Sequence, residues 1–300
     1  MKNRLRDKSA RGPDSKESSS RVFSSAASRS NRTTPVITLL TDFGTADYFV
    51  GAMKGAILSV NPEASIVELT HDIPPQDIET AAFTLLAAHS SFPSGTIHVA
   101  VVDPGVGSAR RAILIQTRKQ FFVGPDNGIF SYVCDLPSKN ESPKVFHLIN
   151  TKYFRHPVSP TFNGRDVFAP VAAALSRGVK PTKLGKKTGE FVRLSPLQPE
   201  AAQDGRIIAR IIHIDRFGNC VTNISQTDLT NDTIASGVHL RLKGGLVKSF
   251  RTYFSDETGS RDKVFGIWGS AGFLEIAAAN NSAAKLLHAK RGDSVIVSEV

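Results

Sequence analysis

The sequence predicts an α/β fold in which an N-terminal, largely parallel sheet is sandwiched by helices and followed by a smaller C-terminal antiparallel β-barrel-like domain. In the first half of the chain, short β-branched strand patterns alternate with amphipathic helical patterns. Such alternation is typical of a parallel sheet covered on both faces. In the last third, short strand patterns separated by glycines dominate, which favours a small antiparallel barrel or sandwich.

These changes in pattern and composition along the chain divide it into four segments. We predict a disordered, basic, serine-rich tail at 1–34, the N-terminal α/β domain at 35–178, a linker at 179–204 and the C-terminal β domain at 205–300. The tail holds nine Lys/Arg and three acidic residues, which gives +6 of the net charge of +10. It has too few apolar side chains to offset the entropy cost of ordering. The linker is rich in proline, glycine and lysine, which are typical of connecting segments.

Composition excludes several classes of protein. With 40% hydrophobic and 21% charged residues the chain is globular. Two cysteines cannot form a disulfide framework, so we expect a reduced, cytoplasmic protein. No apolar run reaches the ~18 residues that cross a bilayer, and we expect no membrane partner. The basic tail could contact nucleic acid, but a solvated extension or an early start codon is the better explanation, so nucleic acid is not an expected partner.

The elements can be placed in order from periodicity and from Gly/Pro punctuation. For the N-terminal domain we predict strands at 36–40, 65–69, 96–102, 111–116 and 120–123, and helices at 49–60, 77–89 and 166–177. For the C-terminal domain we predict strands at 206–214, 221–224, 238–242, 264–268, 273–277 and 294–297, with a helix only at 282–289.

Two apolar strands of the first domain end directly in aspartate, at Asp42 and Asp103. Ligands of open α/β sheets bind at the carboxyl ends of the strands. An aspartate there can accept hydrogen bonds from ribose hydroxyls, bind a metal or hold a water, or it can simply cap a turn or helix. Because both are followed by glycine-bearing loops, a shared site is the better hypothesis.

The loop that begins at Asp103 is the most specific local feature. It contains G-x-G but matches neither the dinucleotide fingerprint nor the P-loop, because a strand follows it instead of a helix. Such a loop could return Arg110 to Asp103 as a charge-assisted pair. That pair could hold a water or hydroxide, or it could only stiffen the loop.

Three further polar clusters have structural alternatives. Asp126 is consistent with a tight turn, and Asp166 with the N-cap of the helix after it. In the second domain, Asp215, Phe217 and Asn219 could bind a base and polar groups. The histidine and cysteine spacings match no zinc site, and no nucleophilic serine motif is present. We therefore expect no metal.

Seven segments together resemble one family, the adenosine-forming S-adenosylmethionine (SAM) hydrolases, also called SAM hydroxide adenosyltransferases, which are related to fluorinase and chlorinase. The resemblance covers roughly 35–300. The segments are TDFGTADYFVGAMKGAI (41–57), DIPPQDIETAAF (72–83), VVDPGVGSARR (101–111), GPDNGIF (124–130), TFNGRDVFAPVAA (161–173), IDRFGNCVTNI (214–224) and GSAGFLEIA (269–277).

The resemblance implies an α/β domain followed by a smaller β domain, assembled as a homotrimer or a dimer of trimers, with the ligand between neighbouring subunits. Asp42 matches the aspartate that binds the ribose hydroxyls. In the second domain, Asp215, Phe217 and Asn219 match the residues around the methionine part and the adenine. Ser270 lies in the loop that meets the adenine.

Asp103 and Arg110 match two members of the hydrolases' Asp–Arg–His water-handling triad. The family's TFHGRD reads TFNGRD here, so Asn163 stands at the histidine position. Asparagine can orient a water but cannot accept its proton at neutral pH. His156 is a possible substitute, although a surface position is the simpler interpretation. The fluorinating relatives carry a TFYSRE-like motif and an aromatic in place of Asp103, so halide use is disfavoured.

The resemblance therefore implies hydrolysis of SAM to adenosine and L-methionine by in-line attack of water or hydroxide on ribose C5′. SAM is the substrate, and no cofactor is expected. The alternatives are a non-catalytic or very slow SAM/adenosine-binding protein, which Asn163 would explain, and a halide-using enzyme.

Overall fold

The computed structural model describes residues 35–135, 142–256 and 262–299; the tail predicted at 1–34 lies outside them. The described residues form two sheets. The seven strands of the first sheet are β1 (Val36–Thr41), β2 (Ser65–Thr70), β3 (Ile97–Val101), β4 (Ala112–Gln116), β5 (Phe121–Pro125), β6 (Lys144–Leu148) and β7 (Gly185–Thr188).

The first sheet has the order β2-β1-β3-β5-β4-β6-β7. The four strands β2, β1, β3 and β5 are parallel, as the sequence predicts, and the other three extend the sheet antiparallel. Strand β7 belongs to the segment predicted as a linker, where it pairs with β6 at the sheet edge. Its four residues, two of them lysines, carry no apolar alternation that could have revealed a strand.

Helices cover both faces of this sheet. They are α1 (Phe49–Val60), α2 (Ile78–His89), α3 (Ser131–Cys134), α4 (Ala169–Ser176) and α5 (Pro181–Leu184), with a 3₁₀ turn at Thr151–Tyr153 and a π turn at Gly164–Phe168. On one face, α1 and α4 pack on Ile37 and Leu39 of β1. On the other, α2 and α3 pack on Leu40. The core is therefore continuous through the strands, which explains their nearly uninterrupted apolar sequence.

The second sheet is curled and mostly antiparallel, in the order β12-β11-β16-β9-β10-β15-β14-β13 with β8 beside β9. Its strands are β8 (Glu200–Ala201), β9 (Ile207–Ile214), β10 (Cys220–Ser225), β11 (Val238–Leu242), β12 (Gly245–Val247), β13 (Phe250–Arg251), β14 (Val264–Trp268), β15 (Phe273–Ala278) and β16 (Ser294–Glu299). Register shifts in β10 against both of its neighbours bend the sheet around its own apolar core.

Two short helices accompany this sheet, α6 (Asn231–Gly237) and α7 (Ala283–Leu286). The expectation of a helix only at 282–289 was therefore incomplete. The first turn of α6 is capped by Thr230, whose hydroxyl accepts from the Thr233 N–H at 3.1 Å. A short polar helix has no apolar stripe, so periodicity does not reveal it. None of the described helices is long and apolar enough to span a bilayer.

Helix α2 joins the two sheets. Its Phe83 ring lies 5.0 Å from the ring of His213 on β9. At its N-terminus, Asp77 accepts a hydrogen bond from the Thr80 N–H at 3.0 Å and pairs at 2.5 Å with Arg291, which precedes β16. A small apolar cluster that includes Tyr132 fills the space between α2 and the second sheet. The start of α2 is thus fixed from the second sheet.

His98 on β3 is a structural histidine. Its side chain is fully buried, its Nδ1 lies 2.7 Å from the Thr38 hydroxyl oxygen, and its ring stacks on Phe122 at 5.1 Å. Burial, helped by the nearby His89, lowers the pKa of His98 to about 4. The imidazole is therefore neutral in the folded protein at pH values where the unfolded chain protonates it.

This depressed pKa predicts a loss of stability in acid. Between pH 7 and pH 4 the unfolded chain binds more protons at this position than the folded chain does, so His98 alone removes about 3 kcal/mol. We expect urea unfolding of His98→Asn to show a loss over that range about 3 kcal/mol smaller than in the wild type. Comparing losses over pH removes the constant cost of the substitution, and equal losses would contradict the assignment.

Candidate functional site

A cavity of about 420 Å³ opens where β1 and β3 end, at the carboxyl edge of the parallel strands. Asp42, Asp103 and Asn163 line it together. These side chains lie 60 or more positions apart in sequence, and they meet because β1 and β3 are neighbours and the π turn packs beside α1. Of the site residues predicted from the sequence, the structure brings these three to one cavity, with Arg110 bonded behind them.

Asp42 is held by the segment that follows β2. Its Oδ2 accepts a hydrogen bond from the Gln76 N–H at 2.8 Å. Gln76 has φ of +66°, in the left-handed region that side chains rarely occupy. The turn thus stores strain while it aims an N–H at the carboxylate. Among the described residues nothing bonds to Asp42 Oδ1, which leaves this oxygen available to a ligand.

The loop 103–110 folds back on itself as the sequence suggests. Arg110 donates from Nε to Asp103 Oδ1 at 2.9 Å and from Nη2 to Oδ2, so the pair is bidentate. The Arg110 side chain is only 12% exposed and that of Asp103 only 5%. Gly107 has φ of +79°, and a Cβ there would lie 2.4 Å from the Pro160 carbonyl oxygen. Only glycine lets this loop approach the segment that carries Asn163.

Asn163 completes a three-residue network. Its Oδ1 accepts from Arg110 Nη2 at 2.7 Å, and its Nδ2 donates to the Ser159 carbonyl at 3.2 Å. This network fixes which end of the carboxamide faces the guanidinium. Arg110 therefore bonds to a carboxylate and a neutral amide at once, and no imidazole takes part. His156 is exposed, lies outside the cavity and bonds to the Thr151 carbonyl at 2.8 Å.

Asp166 is a buried ion-pair centre, and the interpretation as an N-cap was wrong. Its carboxylate is fully buried and accepts from Arg165, from Arg155 and from the Ser159 N–H at 2.8 Å. Burial alone would raise the pKa of Asp166, but these donors hold it below its ordinary value. The helix begins earlier, at the π turn Gly164–Phe168.

Proline explains both the π turn and the position of Asp166. Pro170 has no N–H, so the carbonyl of Asp166, four residues earlier, lacks its helical partner. The Arg155 N–H bonds to that carbonyl instead, at 2.8 Å. Residues 155–159 are thereby fixed to the helix at both ends, and Ser159 is placed to hold Asn163.

Three phenylalanines form an apolar wall of the cavity. Phe43, Phe49 and Phe162 have ring centroids 5.2–6.0 Å apart. The guanidinium of Arg165 lies 5.0 Å from the centre of the Phe162 ring. Such a wall excludes water and presents ring faces that attract a cation. No role was predicted for these rings or for Gln76, because local sequence patterns do not show that these residues meet at one cavity.

The candidate residues of the second sheet lie elsewhere. Between β9 and β10, Asp215 accepts from the N–H groups of Phe217 and Asn219 at 2.9 and 2.8 Å, and from Asn219 Nδ2 at 2.9 Å. The loop is therefore rigid, yet Phe217 is 76% exposed. Ser270 is exposed in the turn between β14 and β15. Within the described part of the chain, no residue of the second sheet lines the cavity.

Other clusters noted in the sequence are structural. Asp126 is buried and bonds to Arg111 Nε at 2.7 Å and to the Val192 N–H at 2.8 Å, which fastens the predicted linker to the first sheet. Cys220 is a fully buried core residue, and burial raises the pKa of its thiol to about 12. Glu275 is close to Asp215, and burial together with that charge raises its pKa.

Comparison with known proteins adds an independent observation. Residues 37–185 match the model of the SAM hydroxide adenosyltransferase N-terminal domain, and residues 209–296 match that of the C-terminal domain. A protein of Methanocaldococcus jannaschii named (R)-S-adenosyl-L-methionine hydrolase is 37% identical over 273 residues, covering 87% of this chain and 94% of its own. A protein of the same name from Thermus thermophilus is 35% identical over 259 residues, covering 84% of this chain and 95% of its own.

The fold agrees with that likeness. The crystal structure of an uncharacterized conserved protein from Thermotoga maritima superposes with a TM-score of 0.80 at 32% identity. The superposition covers 88% of this chain and all of that one. The two-sheet architecture is therefore shared with a solved structure.

The ion-pair centre yields a stability prediction. Asp166→Asn removes the buried charge to which two arginines and the Ser159 N–H donate, and we expect it to cost about 2 to 4 kcal/mol. Asp204→Asn is the matched control, because Asp204 pairs with Arg206 on the exposed surface, and we expect it to leave the urea midpoint unchanged. Similar midpoints for the two variants would show that Asp166 does not hold this segment.

Proposed function

Because the chain belongs to the SAM hydroxide adenosyltransferase family, we propose that it hydrolyses S-adenosyl-L-methionine to adenosine and L-methionine. The observation that carries the proposal is the Asp103–Arg110–Asn163 network at one wall of a cavity that Asp42 also lines. The two relatives named (R)-S-adenosyl-L-methionine hydrolase support the same reaction.

The proposed step is a direct displacement. A water oxygen attacks ribose C5′ while the C5′–S bond breaks, and its electron pair stays on sulfur as the neutral thioether of methionine. Adenosine keeps the new C–O bond, and the one proton that the attacking water gives up is released to the solvent. The step transfers no electrons, so it requires no redox cofactor, and we propose that SAM alone is bound.

Asp103 is the residue placed to hold the water. Its two oxygens are fixed by Arg110, so a water bonded to the carboxylate has a defined direction of attack. Asn163 is neutral and bonds Arg110 and Ser159, so its role is to orient the guanidinium rather than to accept a proton. Retention of Asp103 and Arg110 also favours water over a halide as nucleophile.

Asp42 and the apolar wall bind the substrate on the other side of the cavity. The unbonded Oδ1 of Asp42 can accept from a ribose hydroxyl. The rings of Phe43, Phe49 and Phe162 can attract the sulfonium charge and exclude bulk water. When the thioether forms, that charge disappears and the attraction to methionine weakens. The wall thus favours substrate over product.

We also propose that the site is completed by a second subunit, in a homotrimer. Phe217 is rigidly placed but 76% exposed, and it does not line the cavity of its own chain. An exposed aromatic on a fixed loop suits a partner's ligand better than solvent. In this arrangement Asp215, Phe217, Asn219 and Ser270 bind the methionine part and the adenine of a substrate held by the neighbouring first sheet.

A slow or non-catalytic SAM/adenosine-binding protein is the second candidate. The observation that favours it is Asn163 at the position of the family's histidine, with both ends of its carboxamide already bonded. Every ligand-binding feature would remain in such a protein. We propose a cytoplasmic location for either function, since two cysteines in 300 residues suit a reducing compartment.

A time course with purified protein and SAM, resolving adenosine, methionine and 5′-chloroadenosine with and without chloride, tests the proposal. We expect equal adenosine and methionine over many turnovers. Asp103→Ala should lower turnover about 100-fold while adenosine affinity is largely kept, because the lost group acts on the nucleophile. Asp42→Ala should weaken both, because the ribose loses its acceptor.

Two outcomes would contradict these assignments. Normal turnover by Asp103→Ala would show that the water is held elsewhere. Calorimetric binding of adenosine without turnover by the wild type would favour the binding protein, and gain of turnover in Asn163→His would then show that the missing imidazole was the cause.

The shared site predicts complementation between inactive variants. Asp103→Ala damages the first-sheet half of the site, and Phe217→Ala damages the second-sheet half. In mixed trimers co-expressed at equal amounts, about one quarter of the sites pair two intact halves, so we expect about one quarter of wild-type activity. Light scattering should give a trimer mass. Activity no higher than the sum of the separate variants would show that each chain uses its own halves.

A further inference from the structure

Two buried histidines bond to threonines of β1, and they face different parts of the molecule. Thr38 bonds to His98 inside the core, as described above. Thr41, the last residue of β1, bonds to His71 immediately after β2, with 2.8 Å between Oγ1 and Nδ1. Thr41 is fully buried and the His71 side chain is 2% exposed. Only the second pair lies beside Asp42.

The parallel pairing of β1 and β2 creates this contact. Leu40 lies opposite Thr70 at the end of the ladder. The next residue on each strand is Thr41 and His71, so the side-chain bond continues the pairing after the backbone ladder has stopped. It closes the strand end from which Asp42 extends into the cavity.

The hydroxyl of Thr41 bonds to two groups at once. It accepts from the Phe43 N–H at 3.2 Å, and its oxygen lies 2.8 Å from His71 Nδ1. The other ring nitrogen, Nε2, faces the Glu68 carboxylate at 4.0 Å, too far for a hydrogen bond. Among the described residues Nε2 has no partner. Burial lowers the pKa of His71, although the negative charge of Glu68 acts in the opposite direction. The lowered pKa leaves the ring neutral at pH 7.

The segment after β2 holds the loop after β1 at three successive points. The Gly44 N–H donates to the His71 carbonyl at 2.8 Å. The His71 ring bonds to Thr41, and the Gln76 N–H bonds to Asp42 Oδ2. Residues 41–44 are thus tied to the segment 71–76 along their whole length, and they include two residues that line the cavity, Asp42 and Phe43.

We propose that Thr41 and His71 are positioning residues for Asp42, which fix the direction of its unbonded oxygen toward a nucleoside ribose. The Nε2 atoms of His71 and His98 both lack a partner among the described residues, so what distinguishes His71 is its bond to the residue that precedes Asp42. The inference rests on the proposed function, because it takes Asp42 as the ribose acceptor. It concerns binding of the nucleoside part, so it is measured without turnover.

Adenosine calorimetry on the full chain tests the proposal. Thr41→Val removes both bonds of the hydroxyl at nearly constant volume, and we expect adenosine to bind about tenfold more weakly. Thr41→Ser keeps the hydroxyl and should restore wild-type affinity. Thr38→Val is the matched control: it breaks the same kind of buried Thr–His bond on the same strand, and it should lower stability but not affinity.

A double-mutant cycle separates positioning from general loosening. In the Asp42→Ala background the positioned carboxylate is gone, so Thr41→Val should change adenosine affinity by less than about twofold. His71→Asn, whose side chain can still bond to Thr41, should bind more tightly than His71→Leu. The comparison of His71→Asn with His71→Leu still tests the proposal if Thr41→Val fails to fold.

The outcomes distinguish the two proposals. Wild-type affinity in Thr41→Val, or an equal loss in Thr38→Val, overturns the positioning role and leaves the proposed function intact. An undiminished effect of Thr41→Val in the Asp42→Ala background overturns it as well. A wild-type protein that neither binds adenosine nor hydrolyses SAM overturns the proposed function and the positioning role together.

Discussion

The guanidinium of Arg110 connects the parts of the cavity that come from different regions of the chain. It bonds both oxygens of Asp103, which follows β3, and the carboxamide of Asn163, which precedes the π turn. Both charged side chains are largely buried, so neither is satisfied by water, and loss of one leaves the other as an unpaired buried charge. The close approach at Gly107 and the direction of Asn163 follow from keeping this network intact.

A second buried charge supports the first. Asp166 fixes the segment that contains Ser159, and the Ser159 carbonyl holds the amide end of Asn163. The Arg155 N–H bonds to the Asp166 carbonyl, which the missing N–H of Pro170 leaves free, so the same segment is held at its other end as well. Arg110, Asn163 and Ser159 are therefore each bonded to a neighbour that is itself bonded.

The two sides of the cavity differ in what they can contribute. One side holds a fixed carboxylate–guanidinium pair suited to a water, and the other holds Asp42 and an apolar ring wall suited to a cationic nucleoside. Catalysis by such a site depends on positioning and on exclusion of bulk water more than on proton transfer. This division explains how asparagine at position 163 is compatible with the proposed hydrolysis.

Local patterns in the sequence determined much of the architecture. Alternating strand and helix periodicity predicted the parallel part of the first sheet, and aspartates at two strand ends predicted Asp42 and Asp103 at one edge. These inferences succeed because burial on both faces and strand-end placement are properties of short segments. The spacing of Asp103 and Arg110 was similarly informative, since seven residues with two glycines can return on themselves.

The remaining features depend on contacts between residues far apart in sequence, which local patterns do not predict. The bond from Arg110 to Asn163 spans 53 positions and that from Thr41 to His71 spans 30. Neither follows from periodicity, since each requires a particular strand order. Strand β7 and helix α6 lack a regular apolar pattern, so periodicity did not predict them. Local sequence patterns therefore predict which groups stand at the strand ends, whereas the packing of distant segments sets which of these groups touch and in what direction they point.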